Sequence, residues 1–145
     1  MRKNFIVFVT LLLLLTGCGK KEEKLPRSIG NSDKVVLIYE EIQSSVENSP
    51  TYTATLYKDK KLVKGWSHLD GFRTVELSDS IYQEIIDIAF SKEFLNLKKD
   101  ISNSKVEGES TYYITLYYDG KTFKTGGEDI QDKNFQRIQE LLLKN

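Results

Sequence analysis

The chain contains one cysteine and one histidine among its 145 residues, and both counts exclude whole classes of site. A single cysteine cannot form an intramolecular disulfide or a multi-cysteine zinc or iron–sulfur centre. A single histidine excludes the multi-histidine metal triads of many metalloenzymes. The 21 basic side chains balance the 21 acidic ones, so the chain has no basic excess for binding nucleic acid. We therefore expect no metal, no cofactor and no nucleic-acid partner.

The first eighteen residues have the pattern of an export signal. Arg2 and Lys3 are followed by an apolar run over residues 5–15, which ends in five leucines. As a helix this run would reach roughly 16 Å, about half of the hydrocarbon core of a bilayer, so it is too short to span a membrane. The sequence Leu-Thr-Gly-Cys at residues 15–18 resembles the lipobox of bacterial lipoproteins. The resemblance implies that a signal peptidase removes residues 1–17.

The lipobox resemblance also implies that Cys18, the only cysteine, carries a diacylglycerol through a thioether. Two or three acyl chains hold a protein stably at a membrane, whereas one chain does not. Residues 18–34 are polar and mixed in charge, and they predict a tether between the lipid and a domain at residues 35–145. We expect an extracytoplasmic, membrane-anchored location, with a Gram-positive surface favoured over a periplasm. The alternative is an ordinary secretory signal with a coincidental cysteine.

An internal repeat organises the predicted domain. Residues 51–66 and 111–126 are identical at eight of sixteen aligned positions. Each copy reads as two strands joined at Asp59-Lys60 or Asp119-Gly120, followed by a helical pattern over residues 80–89 or 131–143. With a further strand at residues 35–39, the order is βββαββα. Residues 40–49 read equally well as strand or loop. The prediction is an α+β, two-layer sandwich in which two helices cover one face of an antiparallel sheet.

Alternation along the predicted strands assigns side chains to two faces. Pairing Leu56 with Val63 and Leu116 with Phe123 predicts an apolar face under the helices: Tyr52, Ala54, Leu56, Val63, Ile114, Leu116 and Phe123. The opposite face is predicted to be open and to bind a partner through six side chains: Tyr57, Lys64, Trp66, Tyr113, Tyr117 and Lys124. Tyrosine and tryptophan combine a large ring with a polar tip, a composition typical of interfaces. The alternatives are that these residues merely favour strands or that the N-terminal segment covers them.

Catalytic motifs are absent from the sequence, which has no Gly-x-Ser-x-Gly, Walker A or His-Glu-x-x-His pattern. The leading hypothesis is therefore a non-enzymatic module for an envelope protein, peptide or polysaccharide. A second hypothesis is a small-ligand sensor or enzyme around Trp66, His68 and Asp70. A third is a purely structural envelope lipoprotein. Asp70 with Glu76 and Asp79 could bind Ca²⁺, but the EF-hand spacing is absent and a solvated loop is the simpler interpretation.

A weaker resemblance extends over residues 36–143. The order of Pro-Thr-Tyr at residues 50–52, a hairpin, a helix, Phe-Leu-Asn-Leu-Lys at residues 94–98 and a second hairpin is similar to an uncharacterised domain of bacterial lipoproteins. That family often has a cysteine pair before its Pro-x-Tyr, and this chain has none. The resemblance implies two hairpin–helix units and no particular activity.

Overall fold

A single antiparallel sheet of six strands, accompanied by three helices, forms the described part of the chain in the computed structural model. The structure describes residues 35–43, 51–69, 71–103 and 110–145. In chain order the elements are β1 (Val35–Gln43), β2 (Thr51–Tyr57), β3 (Lys61–Trp66), β4 (Arg73–Glu76), α1 (Asp79–Ala89), α2 (Lys92–Leu95), β5 (Ser110–Tyr118), β6 (Lys121–Gly127) and α3 (Lys133–Lys144).

The strand order across the sheet is β4-β3-β2-β1-β5-β6, with every neighbouring pair antiparallel. The predicted α+β class with an antiparallel sheet is confirmed. The described chain has two elements more than the predicted βββαββα order, the edge strand β4 and the single-turn helix α2. The segment over residues 40–49, which the sequence left undecided, continues as strand to Gln43; residues 44–50 lie outside the described part.

The central strand β1 joins the two repeated hairpins, because it pairs with β2 on one side and β5 on the other. Its core-facing side chains are Leu37 and Tyr39, both fully buried. They meet the predicted apolar residues Ala54, Leu56, Ile114 and Leu116, which are also fully buried. This part of the predicted core is confirmed.

A polar side chain caps the N-terminus of each of the two long helices. The Oγ atom of Ser78 accepts a hydrogen bond from the Ile81 amide at 3.4 Å at the start of α1. The Oδ1 atom of Asp132 accepts one from the Phe135 amide at 2.8 Å at the start of α3. The first helix begins at Asp79, one residue before its predicted start, and Ser78 supplies the capping oxygen.

The inward faces of both long helices match the predicted spacing. On α3, the apolar residues that recur at helical spacing are all buried: Phe135, Ile138, Leu141 and Leu142. On α1, Ile85 and Ala89 are buried, and Ile81 and Ile88 pack against the core from its margin. The helical period of 3.6 residues therefore placed these side chains correctly even where the helix ends were misplaced.

The predicted register of the first hairpin is wrong by one residue. Leu56 pairs with Leu62 and not with Val63, because three residues, 58–60, form the turn. Leu62 is fully buried, whereas Val63 is half-buried on the opposite face. Since side chains alternate along a strand, this shift turns every residue of β3 to the face opposite to the predicted one. The second hairpin keeps its predicted pairs, including Leu116 with Phe123.

Turn chemistry explains why the two copies differ. Asp119 and Gly120 both have positive φ, at 48° and 69°, as a two-residue type I′ turn requires. In the first copy Lys60 stands where the second has glycine. A three-residue turn needs only one left-handed residue, which is Lys60 at φ 66°. The Lys60 amide donates to the Tyr57 carbonyl oxygen at 3.0 Å and closes that turn.

No helix in the described ranges is long and apolar enough to cross a membrane. The predicted signal segment at residues 1–17 and the predicted tether at residues 18–34 lie outside those ranges.

Candidate functional site

The three helices contact the sheet on the same side. Gln139 of α3 donates to the hydroxyl of Tyr39 at 2.8 Å. At the end of α1, the ring of Phe90 packs edge-on against Tyr118 with centroids 5.6 Å apart. In α2, Phe94 packs in the same way against Phe123 at 6.0 Å. The core therefore lies between this side of the sheet and the helices.

The opposite side of the sheet is here called the open face, because none of these helix contacts reaches it. Strand alternation and register place on it the following residues: Ile38, Glu40, Thr53, Thr55, Tyr57, Val63, Gly65, Tyr113, Thr115, Tyr117, Thr122 and Lys124. Four of the six predicted binding residues lie there, namely Tyr57, Tyr113, Tyr117 and Lys124. Hydroxyl-bearing side chains are the most numerous on this face, which also carries two facing pairs of opposite charge, Glu40 with Lys124 and Lys61 with Glu76.

A small charged cluster lies on the β6 side of the open face. Glu40 and Tyr113 are directly opposite each other on β1 and β5. The Nζ atom of Lys124 lies 3.2 Å from Oε2 of Glu40 and 4.3 Å from the centroid of the Tyr113 ring. The lysine thus makes an ion pair and a cation–π contact at once. The pair leaves this region of the face with no net charge.

The Tyr113 ring is held in place on both of its sides. A Cβ atom added to Gly126 on β6 would lie 2.6 Å from Cδ1 of Tyr113 and 2.0 Å from the Tyr112 carbonyl oxygen. The ring therefore covers the glycine on one side and meets Lys124 on the other, an arrangement that stabilises a glycine in an edge strand. Because Lys124 lies over its ring, Tyr113 is a poor stacking platform.

Two of the predicted binding residues, Lys64 and Trp66, are not on the open face. The one-residue shift in β3 places both on the helix side of the sheet, with Lys64 opposite Ala54 and Trp66 opposite Tyr52. The repeat aligns Lys64 with Lys124, yet the structure places these two lysines on opposite faces. The prediction that they share one binding surface is wrong.

Lys64 instead stabilises the end of α3. Only 8% of the residue is exposed, and its Nζ atom donates to the carbonyl oxygens of Leu142 at 3.2 Å and Leu143 at 3.0 Å. The last carbonyls of a helix lack partners within the helix and carry partial negative charge, so an ammonium group fits there. Burial, together with the charge of Arg73, lowers the pKa of Lys64. Its role in the structure is a helix cap.

Trp66 belongs to a line of residues that crosses four strands on the helix side. The register places Trp66, Tyr52, Glu41 and Tyr112 directly opposite one another in turn. We call these four residues the aromatic row. All four are half-buried. The rings of Tyr52 and Trp66 pack edge-on at 5.3 Å, and Tyr39 extends the contact into the core at 6.5 Å from Tyr52.

Glu41 is the one charged side chain of the aromatic row. Burial raises the pKa of its carboxyl above the ordinary value of 4.5, and a hydrogen bond from Ser110 opposes that shift. Burial also raises the pKa of Tyr52, with Glu41 contributing. The sequence did not reveal this residue, because residues 40–49 could not be assigned to strand or loop. Once β1 is known to reach Gln43, alternation from Tyr39 places Glu41 on the helix side.

Two residues of the predicted Trp66–His68–Asp70 site, Trp66 and His68, lie within the described ranges. The rings of Trp66 and His68 pack edge-on with centroids 5.7 Å apart, and His68 is exposed. Asp70 lies outside the described residues. Asp79, one of the acids considered for Ca²⁺, forms an ion pair with Lys60 at 2.7 Å. Within the described ranges, no group of three histidine, cysteine, aspartate or glutamate side chains is arranged to hold a metal ion.

A shallow depression of about 400 Å³ lies where the open face meets the end of β6. Its lining includes Thr111, Tyr113 and Gly126, together with Asp100 and Ser102. Oδ1 of Asp100 accepts hydrogen bonds from the Ser102 amide and hydroxyl. The Ser102 hydroxyl oxygen also accepts from the Glu128 amide at 2.9 Å, and the Ile101 amide donates to the Gly126 carbonyl oxygen at 2.9 Å, so these groups hold the segment beside β6.

Comparison with known proteins does not assign the chain to a family, because no family model and no curated protein matches it. The resemblance to an uncharacterised lipoprotein domain therefore stays a prediction, as does lipidation of Cys18.

Proposed function

We propose that the chain is a bacterial lipoprotein, held at the extracytoplasmic side of the cell membrane by a lipid on Cys18, and that its domain is a non-enzymatic binding module. Support for the anchor comes from the sequence alone: a basic start, a short apolar run and Leu-Thr-Gly-Cys at residues 15–18. Support for the binding role comes from one observation in the fold, the six-stranded sheet whose open face receives none of the helix contacts.

The proposal includes the predicted two-layer arrangement, with the helices as one layer and the sheet as the other. The contacts from Gln139 to Tyr39, from Phe90 to Tyr118 and from Phe94 to Phe123 support it, because all of them lie on one side. Antiparallel sheets commonly expose one face to water, and such faces usually carry charged and polar side chains. Besides its opposite-charge pairs, the open face carries three tyrosines, Tyr57, Tyr113 and Tyr117, and aromatic residues are enriched at protein interfaces.

The chemistry of the open face favours a protein as the partner. Six strands at ~4.8 Å spacing, on average about seven residues long at ~3.3 Å per residue, make a face of about 24 by 23 Å. Its area of roughly 550 Å² approaches the ~800 Å² that each partner contributes to a standard protein interface. The charges of Glu40 and Lys124 neutralise each other at 3.2 Å, so the face offers little attraction to a polyanionic wall polymer. Phe72 is 57% exposed, and its ring lies against the open-face side of Gly65. An exposed aromatic side chain beside a broad face of low net charge suits contact with another folded protein.

The tether would join the domain at a defined end of the sheet. β1 begins at Val35, which pairs with Tyr57 at the end of β2, next to the first hairpin turn. The second hairpin turn, at Asp119-Gly120, lies at the same end. A flexible segment of the length of residues 18–34 has an average span of about 23 Å. A tether of this length would hold the domain far enough from the bilayer for its open face to contact a partner beside the membrane.

In-cell photo-crosslinking tests the binding role. A photoreactive amino acid at Tyr117 or Thr53 would probe the open face, and one at Gln83, which is exposed on α1, would probe the helix side. We expect both open-face positions to crosslink to the same envelope protein and Gln83 not to. A Thr55→Arg substitution should abolish that crosslink, because it places a charge in the middle of the interface, whereas Gln83→Arg should leave it unchanged.

Circular dichroism of the two arginine variants provides the folding control. Purified partner should then bind the natural chain and bind the folded Thr55→Arg variant at least tenfold more weakly. Crosslinking of the same protein from Gln83, crosslinking to a polysaccharide, or no specific crosslink from either open-face position would contradict the proposal.

A further inference from the structure

The aromatic row combines one carboxylate with rings on both sides of it. Glu41 on β1 lies directly between Tyr52 on β2 and Tyr112 on β5, and Trp66 follows Tyr52. Directly opposed residues in antiparallel strands have Cβ atoms about 5 Å apart. The side chain of Glu41 is therefore a direct cross-strand neighbour of an aromatic side chain on each side. These residues are half-buried, so part of each still meets solvent.

The charge of Glu41 is not neutralised by a basic side chain of the described residues. Its hydrogen-bond partner is the hydroxyl of Ser110, which carries no charge. Lys64, the lysine two residues before Trp66 on the same face, donates to the carbonyl oxygens at the end of α3. A half-buried carboxylate between aromatic rings is costly to keep charged, and a cation would offset that cost.

We propose that the aromatic row binds a small organic ammonium ion, with Glu41 as the counter-charge and Tyr52, Tyr112 and Trp66 as the aromatic surroundings. An ammonium group is attracted to ring faces by the cation–π interaction and to the carboxylate by ion pairing, and aromatic surroundings are the usual way in which proteins recognise alkylated ammonium groups. Inorganic cations are strongly hydrated and prefer several oxygen ligands, whereas this row supplies one carboxylate. The site lies on the opposite side of the sheet from the open face, and it does not depend on the binding role proposed for that face.

Trp66 is the only tryptophan of the chain, so its fluorescence reports on the row directly. The full chain, purified in a maltoside detergent that carries no ammonium group, is titrated with tetramethylammonium chloride at constant ionic strength. A parallel titration with methylammonium chloride shows whether the site prefers a primary or a quaternary ammonium ion. tert-Butanol, a neutral molecule of similar shape to tetramethylammonium, is the uncharged control. We expect a saturable change in Trp66 emission with at least one ammonium ion, and no saturable change with tert-butanol.

Two neighbouring glutamates provide a matched pair of variants. Glu41→Gln keeps the shape of the row and removes its charge, so the half-saturating concentration should rise about tenfold, corresponding to about 1.4 kcal/mol. Glu40→Gln makes the same change on the open face and should leave the titration unchanged. Glu41→Gln is expected to fold, because it removes a charge that burial disfavours. Circular dichroism checks this.

Broadening of the tetramethylammonium methyl signal in proton NMR is a second measurement, independent of tryptophan emission. Broadening by the natural chain that is reduced by Glu41→Gln and unaffected by Glu40→Gln would support the site. Absence of both a fluorescence change and broadening would overturn it. An equal response from the two glutamine variants and the natural chain would overturn it as well, since the carboxylate of Glu41 would then have no role.

Discussion

Replacing Lys64 with methionine tests the register of the first hairpin and the role that follows from it. Methionine retains an unbranched stem of similar length and removes the ammonium group. In the natural chain that group donates to the carbonyl oxygens of Leu142 and Leu143 at 3.2 and 3.0 Å. The Lys64→Met variant would leave two carbonyls at the end of α3 without these donors. We therefore expect α3 to dock less stably.

The change in the free energy of unfolding caused by Lys64→Met is the sum of opposing contributions. Each hydrogen bond contributes about 1 kcal/mol net, and an unpaired buried carbonyl costs about 1–3 kcal/mol. Against this, burial lowers the pKa of Lys64, so keeping its ammonium charged costs some stability, which the variant recovers. The hydrogen bonds and the favourable position at a helix C-terminus should prevail. We expect a loss of about 2 kcal/mol in the free energy of unfolding and a fall in Tm of roughly 8 °C.

The repeat supplies the matched control for this substitution. Lys124 occupies the equivalent position of the second copy, and its exposed ion pair with Glu40 and its contact with the Tyr113 ring should together contribute no more than about 1 kcal/mol. Urea unfolding followed by circular dichroism would compare Lys64→Met with Lys124→Met. Equal small losses in both variants would refute the reasoning, because they would mean that Lys64 lies on a solvated face as Lys124 does.

Three further predictions concern stability, and urea unfolding followed by circular dichroism tests each of them. Gly126→Ala should lose about 1–3 kcal/mol, because the added Cβ would lie 2.0 Å from the Tyr112 carbonyl oxygen, and unchanged stability would contradict the close approach. Tyr39→Phe should lose about 1 kcal/mol with the 2.8 Å hydrogen bond from Gln139, and a loss near zero would mean that water replaces the hydroxyl. Glu41→Gln should be more stable than the natural chain at pH 7, because the raised pKa of Glu41 means that its charged form costs stability. That advantage should shrink as the pH falls through the raised pKa and vanish well below the ordinary value of 4.5; an advantage independent of pH would contradict this assignment.

Local patterns predicted much of the domain. The Asp-Gly pair at residues 119–120 fixed the second hairpin, because only one common turn type suits two successive residues with positive φ. The buried faces of the two long helices followed from the spacing of their apolar residues. In these elements the local sequence preference agrees with the tertiary packing, so the local pattern alone predicts the structure.

The first hairpin could not be predicted in the same way. The residues around Asp59 and Lys60 permit a turn of two or of three residues, and the choice depends on whether Leu62 or Val63 enters the core. Tertiary packing favoured the larger Leu62, which is fully buried. That single step moved Lys64 and Trp66 from the predicted binding face to the helix side. The C-terminal end of β1 could not be predicted either, because the polar residues after Tyr39 lack the pattern of a strand. For the same reason Glu41 could not be assigned to a face of the sheet.

The intact mass of the protein extracted from cell membranes tests the proposed lipoprotein most directly. The account predicts a chain that begins at Cys18 and carries the added mass of a diacylglycerol, with or without a third acyl chain. It also predicts that Cys18→Ala is left unprocessed or released from the membrane. A membrane-extracted chain that retains residues 1–17, or one that begins elsewhere and carries no lipid, would contradict the account.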